Sequence, residues 1–318
     1  MLQFPQNENH RFGYYLVNSS GKLDFFIHKK LASREVLDEA SRLIEVVFHL
    51  QPLAIALRVV EKNHEEWASA INAHVIQLNE LSSQNLVPIP MLLDGVISIT
   101  QRLTNFLSAA SAFLAQSRTE QQRRYGKGSD QYKLWDEFRQ RLHASSFAYR
   151  FMYELRNFGQ HRELPLSSLQ VTGERVNETT PLCFKATPAI DRDKILNAGY
   201  DWKKLKSEIK TQQTRFGLTP HASEYLNCIR HIFLMAVKLE SQNLAGCVGY
   251  LTKVREILSA PESASIAVFV GEPAHNAPRK SQRLMPCEQL KWLLKEYNRL
   301  LVWESEELEQ AQLESNEM

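Results

Sequence analysis

A mainly α-helical protein is what this sequence predicts, with a small β-hairpin near its start and short β insertions further on. Three observations carry that expectation. Apolar residues recur at helical spacing through most of the 318 residues. Alternation of the kind that marks strands is confined to a few short segments. A hydrophobic share of 43% beside a charged share of 23% supplies a core and sets wholesale disorder aside.

The elements follow in order. Phe12 to Ile27 alternates, is rich in aromatics and holds Asn18-Ser19-Ser20-Gly21 at its middle, which reads as a hairpin. From Ala32 the period becomes helical, with Leu37, Leu43, Ile44, Val47 and Phe48 on one face. Pro52 lacks an amide hydrogen and is expected to restart the run, so that Ile55, Val59, Trp67, Ile71, Val75 and Leu78 mark a second stretch. Ser82 to Pro90 has connector composition. Asp94 is placed to cap a helix carrying Ile97, Leu103, Phe106, Leu107, Ala110, Phe113 and Leu114. That helix should end before Tyr125-Gly126-Lys127-Gly128. Ser129-Asp130 then opens one long helix to about Gln160, stopped by Pro165. Ser168–Thr172 and Leu182–Ala186 read as strands, and Trp202–Arg215, Pro220–Leu239 and Leu244–Leu258 as helices. Ser265–Val270 reads as a strand and Pro286–Leu301 as a last helix, with a glutamate-rich tail from Glu304 expected to fray.

Composition excludes several classes. A net charge of +2 is not the footprint of a strong non-specific DNA binder, although a local basic patch is compatible with it. Cys183, Cys228, Cys247 and Cys287 form no Cys-x-x-Cys pair, which argues for reduced, partly buried thiols rather than zinc or a disulfide framework. Met1-Leu2-Gln3-Phe4-Pro5-Gln6 lacks a basic region followed by an apolar run. The apolar stretch around Leu86 to Ile99 is short for a membrane span and holds Pro88, Pro90 and Asp94. A cytoplasmic protein without a membrane segment is the expectation. No phosphate-binding glycine loop, nucleophile elbow or glycosidase carboxylate pair occurs, and no cofactor or metal is expected.

The chemistry concentrates in Arg156-Asn157-Phe158-Gly159-Gln160-His161. Trp135, Leu142, Tyr149 and Arg156 are spaced seven apart, as are Phe138, Ser145, Met152 and Gly159. These rows make one expected seam for packing into a bundle or a partner helix, and its last turn delivers an arginine and a glycine. A buried guanidinium is costly without an anion, and glycine costs roughly 1 kcal/mol of helix stability against alanine. Both choices in one turn suggest a site. Histidine titrates near neutrality and can take the proton of a ribose 2′-hydroxyl, while arginine can hold the phosphate through two nitrogens. Tyr153 and Arg150 flank the motif, and helical spacing is expected to set them off the Arg156 face.

Those residues resemble the motif of the HEPN ribonucleases, in which an arginine is followed by a polar residue and, a few positions on, by a histidine. The wider phrase from Tyr149-Arg150-Phe151 to Leu164-Pro165 is similar to bacterial proteins of that kind. The resemblance implies a HEPN-like helical bundle and a metal-independent endoribonuclease, with His161 as general base, Arg156 as phosphate contact and Asn157 orienting one or the other. It further implies RNA as substrate, a homodimer through the motif helix, and a role in toxin–antitoxin or anti-phage systems with an antitoxin or regulatory protein as partner. The domain expectation is then 1–88 as hairpin and helices packing on the bundle, 89–260 as the bundle with a β insertion near 167–186, and 261–318 as a strand, a helix and the acidic tail.

Competing readings stay open at this point. The loose Arg/His spacing recurs at Arg42/His49, Arg58/His64 and Arg215/His221, but only Arg156 is followed by Asn at the end of an aromatic helix. Arg156 could instead pair with Glu154 or Glu163 while His161 caps the helix C-terminus. A non-catalytic HEPN-fold module that binds RNA, a nucleotide or a protein would carry the same residues, as would a purely structural helical protein. Arg123, Arg124, Tyr125 and Lys127, near Arg118, Lys133 and Tyr132, form a basic, aromatic stretch suited to an RNA backbone or to a solvated loop. Lys203, Lys204, Lys206 and Lys210 read as a solvated helix face.

Overall fold

The computed structural model describes residues 4, 9–82, 89–166, 168–174, 183–270 and 281–316. In chain order these form β1 (His10–Val17), β2 (Leu23–Ile27), α1 (Arg34–Ser82), α2 (Ile89–Tyr125), α3 (Asp130–Ser145) and α4 (Phe147–His161). There follow β3 (Ser168–Glu174), β4 (Cys183–Asp191), α5 (Arg192–Asn197), α6 (Leu205–Thr211) and β5 (Arg215–Gly217). Last come α7 (Thr219–Leu239), α8 (Ser241–Ile257), β6 (Ser265–Val270), β7 (Ser281–Leu284) and α9 (Cys287–Asn316). The protein is mainly helical with two small antiparallel sheets.

Two compact units divide the chain, Met1–Ala54 with Ala236–Met318 and Ile55–Met235, which is not the three-part division read from the sequence. In the first unit the hairpin forms as expected. The Asn18 side chain accepts the amides of Ser20 and Lys22 at 3.1 and 2.9 Å, and Gly21 takes the left-handed conformation at φ 76°. The strand at Ser265–Val270 then pairs antiparallel with β1, giving a sheet in the order β2-β1-β6-β7. Its inner residues Ile266, Ala267, Val268 and Phe269 are buried. The tail is helical: α9 continues through Glu304 to Asn316, beyond the expected end at Leu301.

α1 does not restart at Pro52 but runs unbroken for 49 residues. Leu50, Leu53, Ala54 and Leu57, on either side of the proline, are all buried. Burial worth about 1.5–3 kcal/mol for each large side chain outweighs the roughly 3 kcal/mol that an interior proline costs. The same helix is long and apolar enough to cross a membrane by length and composition, with 56% of its apolar window buried inside the fold. The expected connector lies mostly outside the described residues, and α2 starts at Ile89 rather than at an Asp94 cap. Pro90 belongs to that first turn, where its missing N–H leaves no hydrogen bond unmade.

The second unit holds the aromatic core. Trp67, Phe106, Trp135, Tyr149, Phe151, Phe158, Trp202 and Tyr225 are each at most 2% exposed. The expected single helix from Ser129 to Gln160 is two, broken at Ser146, where φ −98° and ψ 117° are extended. Ser146 accepts the Tyr149 amide at 2.9 Å and donates to Glu224 Oε1 at 2.5 Å, so a side chain opens α4 while its own amide closes α3 on the Leu142 carbonyl. The expected seam is broken with it: Ser145 is exposed and Leu142 only half-buried, whereas Tyr149 and Met152 are buried. The helix expected at Trp202–Arg215 shortens to α6, because Arg215–Gly217 pairs with Ala189–Asp191 as the edge of a sheet ordered β3-β4-β5. All four cysteines are free thiols, and Cys183 alone of them is exposed.

Candidate functional site at the end of the fourth helix

α4 buries Ala148, Tyr149, Phe151, Met152, Leu155 and Phe158 along one side. Phe158 stacks on Trp202 at 5.3 Å between ring centroids and meets Tyr200 edge-on at 5.7 Å. This packing fixes where the adjacent polar residues stand. Arg156 is half-buried, Asn157 is half-buried, and His161 is exposed in the last turn.

Arg156 has no carboxylate partner among the described residues. Its Nη1 donates to Asn157 Oδ1 at 3.2 Å, and its Nε is buried without a hydrogen-bond partner. Both carboxylates that could have held it are engaged elsewhere. Glu154 accepts from Asn157 Nδ2 at 3.3 Å and from the Tyr200 hydroxyl at 2.6 Å, with Lys203 Nζ at 3.8 Å. Glu163 pairs with Lys194 at 3.2 Å. Burial, followed by the Glu154 carboxylate, holds the Tyr200 phenol well above its usual range, so it stays a proton donor. The sequence reading missed Tyr200 and Lys203 as neighbours of the motif, since nothing in local spacing brings residues so far along the chain to Asn157.

Arg156 is half-buried with its Nε out of solvent. Its charge acts on the fully buried Tyr225, whose hydroxyl has no hydrogen-bond partner and whose pKa is pushed far up, first by burial and then by Tyr149 and Tyr153. Three positions apart on α4, Tyr153 and Arg156 are neighbours on the helix surface, contrary to the expectation. Arg150 does stand apart, bonded to Glu208 at 2.5 Å.

Gly159 has a packing reason. A Cβ built there would lie 3.3 Å from Pro165 Cδ, as the chain turns back over the helix end. The Arg162 amide closes that end on the Phe158 carbonyl at 2.9 Å. His161 makes no hydrogen bond or ion pair among the described residues. Five positions apart, Arg156 and His161 leave the helix axis about 140° from one another, with Asn157 between them. Among the described residues no hydrogen bond joins the guanidinium and the imidazole.

In the basic stretch that closes α2 and leads into α3, Arg123 is held by Glu120 at 2.5 Å and Lys133 lies 3.6 Å from Asp130. Arg124 and Tyr125 also have partners, while Lys127 is exposed in the turn at Gly126. Arg123, Arg124 and Tyr125 are thus the last turn of a helix, with Arg124 and Tyr125 half-buried, and Lys127 alone of the four stands in the exposed turn. Comparison with protein-family models, with curated proteins and with solved structures gives no match.

Proposed function

We propose that the protein is a metal-independent endoribonuclease of the HEPN type, cytoplasmic, and active as a homodimer in which two α4 ends face each other. The observation that carries this reading is Arg156, a half-buried cation that among the described residues has no carboxylate, on the same short helix as an exposed histidine with no hydrogen bond or ion pair among them. A guanidinium so placed costs stability unless an anion meets it. A phosphodiester is such an anion.

In the proposed reaction His161 takes the proton from a ribose 2′-hydroxyl. The 2′-oxygen attacks phosphorus, the bond to the 5′-oxygen breaks, and that oxygen leaves with a proton from solvent. The products are a 2′,3′-cyclic phosphate and a 5′-hydroxyl. Arg156 stabilises the charge that builds on the phosphoryl oxygens, and Asn157 positions Arg156 through the bond it accepts. Because the two groups diverge on one helix, each cleavage centre takes His161 from one copy and Arg156 from the other. A toxin or anti-phage role, with an antitoxin or regulator as partner, goes with this reading.

The test is incubation of purified protein with total RNA in EDTA, beside His161→Ala and Arg156→Ala. Wild type is expected to cut and leave cyclic phosphate ends, with each variant slower by roughly 10²–10⁴-fold. Cleavage that survives both substitutions removes the site. The divergence of Arg156 and His161 favours a second reading, a non-catalytic module that binds RNA or a nucleotide. Retention of RNA on a filter without cleavage by any version selects it.

A further inference from the structure

α2, α3 and α4 line a half-open cleft of about 510 Å³, a size suited to a small ligand. Arg118 comes from α2, Arg139, Gln140 and His143 from α3, and Tyr149 and Tyr153 from α4. No carboxylate lines it among the described residues. Arg118 is exposed and has no ion pair among the described residues, so its charge is available to a ligand. Arg139 gives two nitrogens to Asp136 Oδ1, at 2.6 and 3.1 Å, and lies 5.9 Å from the Trp135 ring centroid. It also reaches the Tyr149 hydroxyl, and burial pushes that phenol up to about 12, so it is a donor at neutral pH. Tyr153, 36% exposed, offers a ring at the edge of the cavity.

We propose that this cavity binds a nucleotide unit, its phosphate on Arg118 and Arg139 and its base against the Tyr153 ring. Two arginines supply the charge-assisted bonds that a phosphate takes, and an exposed ring beside them supplies the sequence-tolerant stacking that a base takes. His143 fits the same electrostatics. Burial, then Arg150 and Arg139, lowers its pKa, with Glu154 acting the other way. Tyr149 and Tyr153 of the lining and Arg156, one turn further on, follow one another along one face of α4. A strand lying over Arg156 would reach the cleft. The inference does not require His161 to cleave anything.

Fluorescence anisotropy with a labelled single-stranded oligoribonucleotide tests it, every sugar bearing a 2′-O-methyl group so that no 2′-hydroxyl attack can consume the probe. AMP serves as competitor. Arg118→Gln and Tyr153→Leu alter exposed side chains and are each expected to weaken binding roughly tenfold. Lys206→Gln, an equal loss of charge on an exposed face of α6, is expected to change it less than twofold. Displacement by AMP at its own measured affinity assigns the cavity to a free nucleotide; binding of the strand with no displacement assigns it to RNA. Absence of binding of either probe to wild type overturns the proposal, as does an equal effect of all three substitutions. Loss of cleavage in His161→Ala with unchanged anisotropy would leave the two proposals standing separately.

Discussion

His64 is a basic side chain placed where a charge is unwelcome. Its ring meets Phe106 edge-on at 5.2 Å and Trp67 at 6.0 Å, and its Nε2 is buried without a hydrogen bond. Burial, and next the Arg230 guanidinium, depresses its pKa below 6.5, with Glu65 and Glu61 pulling weakly the other way. The folded state therefore resists a proton that the unfolded chain accepts. The stability this represents is complete above pH 6.5 and is lost as pH falls through the lower folded value. Urea midpoints should drop as the solution is acidified past 6.5, and the drop should shrink in His64→Leu; an unchanged profile in that variant would remove the assignment. At this scale the sequence was legible where chemistry is local. The motif residues could be named from spacing alone, and the choice between a paired and an unpaired Arg156 could not, because it depended on Tyr200 and Lys194 occupying the competing carboxylates. Gly159 also has a packing role that the sequence did not show, because its neighbour, Pro165, is brought back by a turn that no periodicity records.

The elements repeat that lesson. Strands and helices with strong patterns were legible: β6 spans the predicted Ser265–Val270, and α7 and α8 fall close to their expected ends. Pro52 misled because its local cost is visible in sequence and the burial that offsets it is tertiary. The division at Ser146 was hidden because heptad spacing carries across a break as easily as along a helix. The break can be tested through its cap. Ser146→Ala removes the acceptor of the Tyr149 amide and the donor to Glu224, and should cost about 1 kcal/mol in chemical denaturation. Ser146→Asp, which keeps the acceptor but sets a carboxylate against Glu224, should not restore the full value. Equal stability of all three proteins would show that the cap contributes nothing.

For the whole molecule, the consequence is assembly. Light scattering should give a mass near twice 36.7 kDa if two α4 ends form the proposed centre. A sharper check mixes Arg156→Ala with His161→Ala, each inactive alone, after brief exposure to denaturant that allows copies to exchange. Mixed pairs contain one centre with both native groups, so partial cleavage should return. Silence in the mixture, with mixed pairs shown by mass, would defeat the two-copy centre. The arrangement of the chain explains why such features escaped sequence reading: the unit Ile55–Met235 is bracketed by segments far apart in sequence that join in the other unit, and both boundaries fall inside helices, α1 and α7. Boundaries inside helices leave no linker composition to recognise.

The return of Pro165 over Gly159 has one more effect. The final turn of a helix ordinarily frays, since its carbonyls lack partners and its backbone samples open states. Here a proline ring rests on that turn and the Arg162 amide closes it. Amide exchange at Gln160 and His161 should therefore be slow for a helix terminus, and the imidazole would explore rotamers from an immobile anchor.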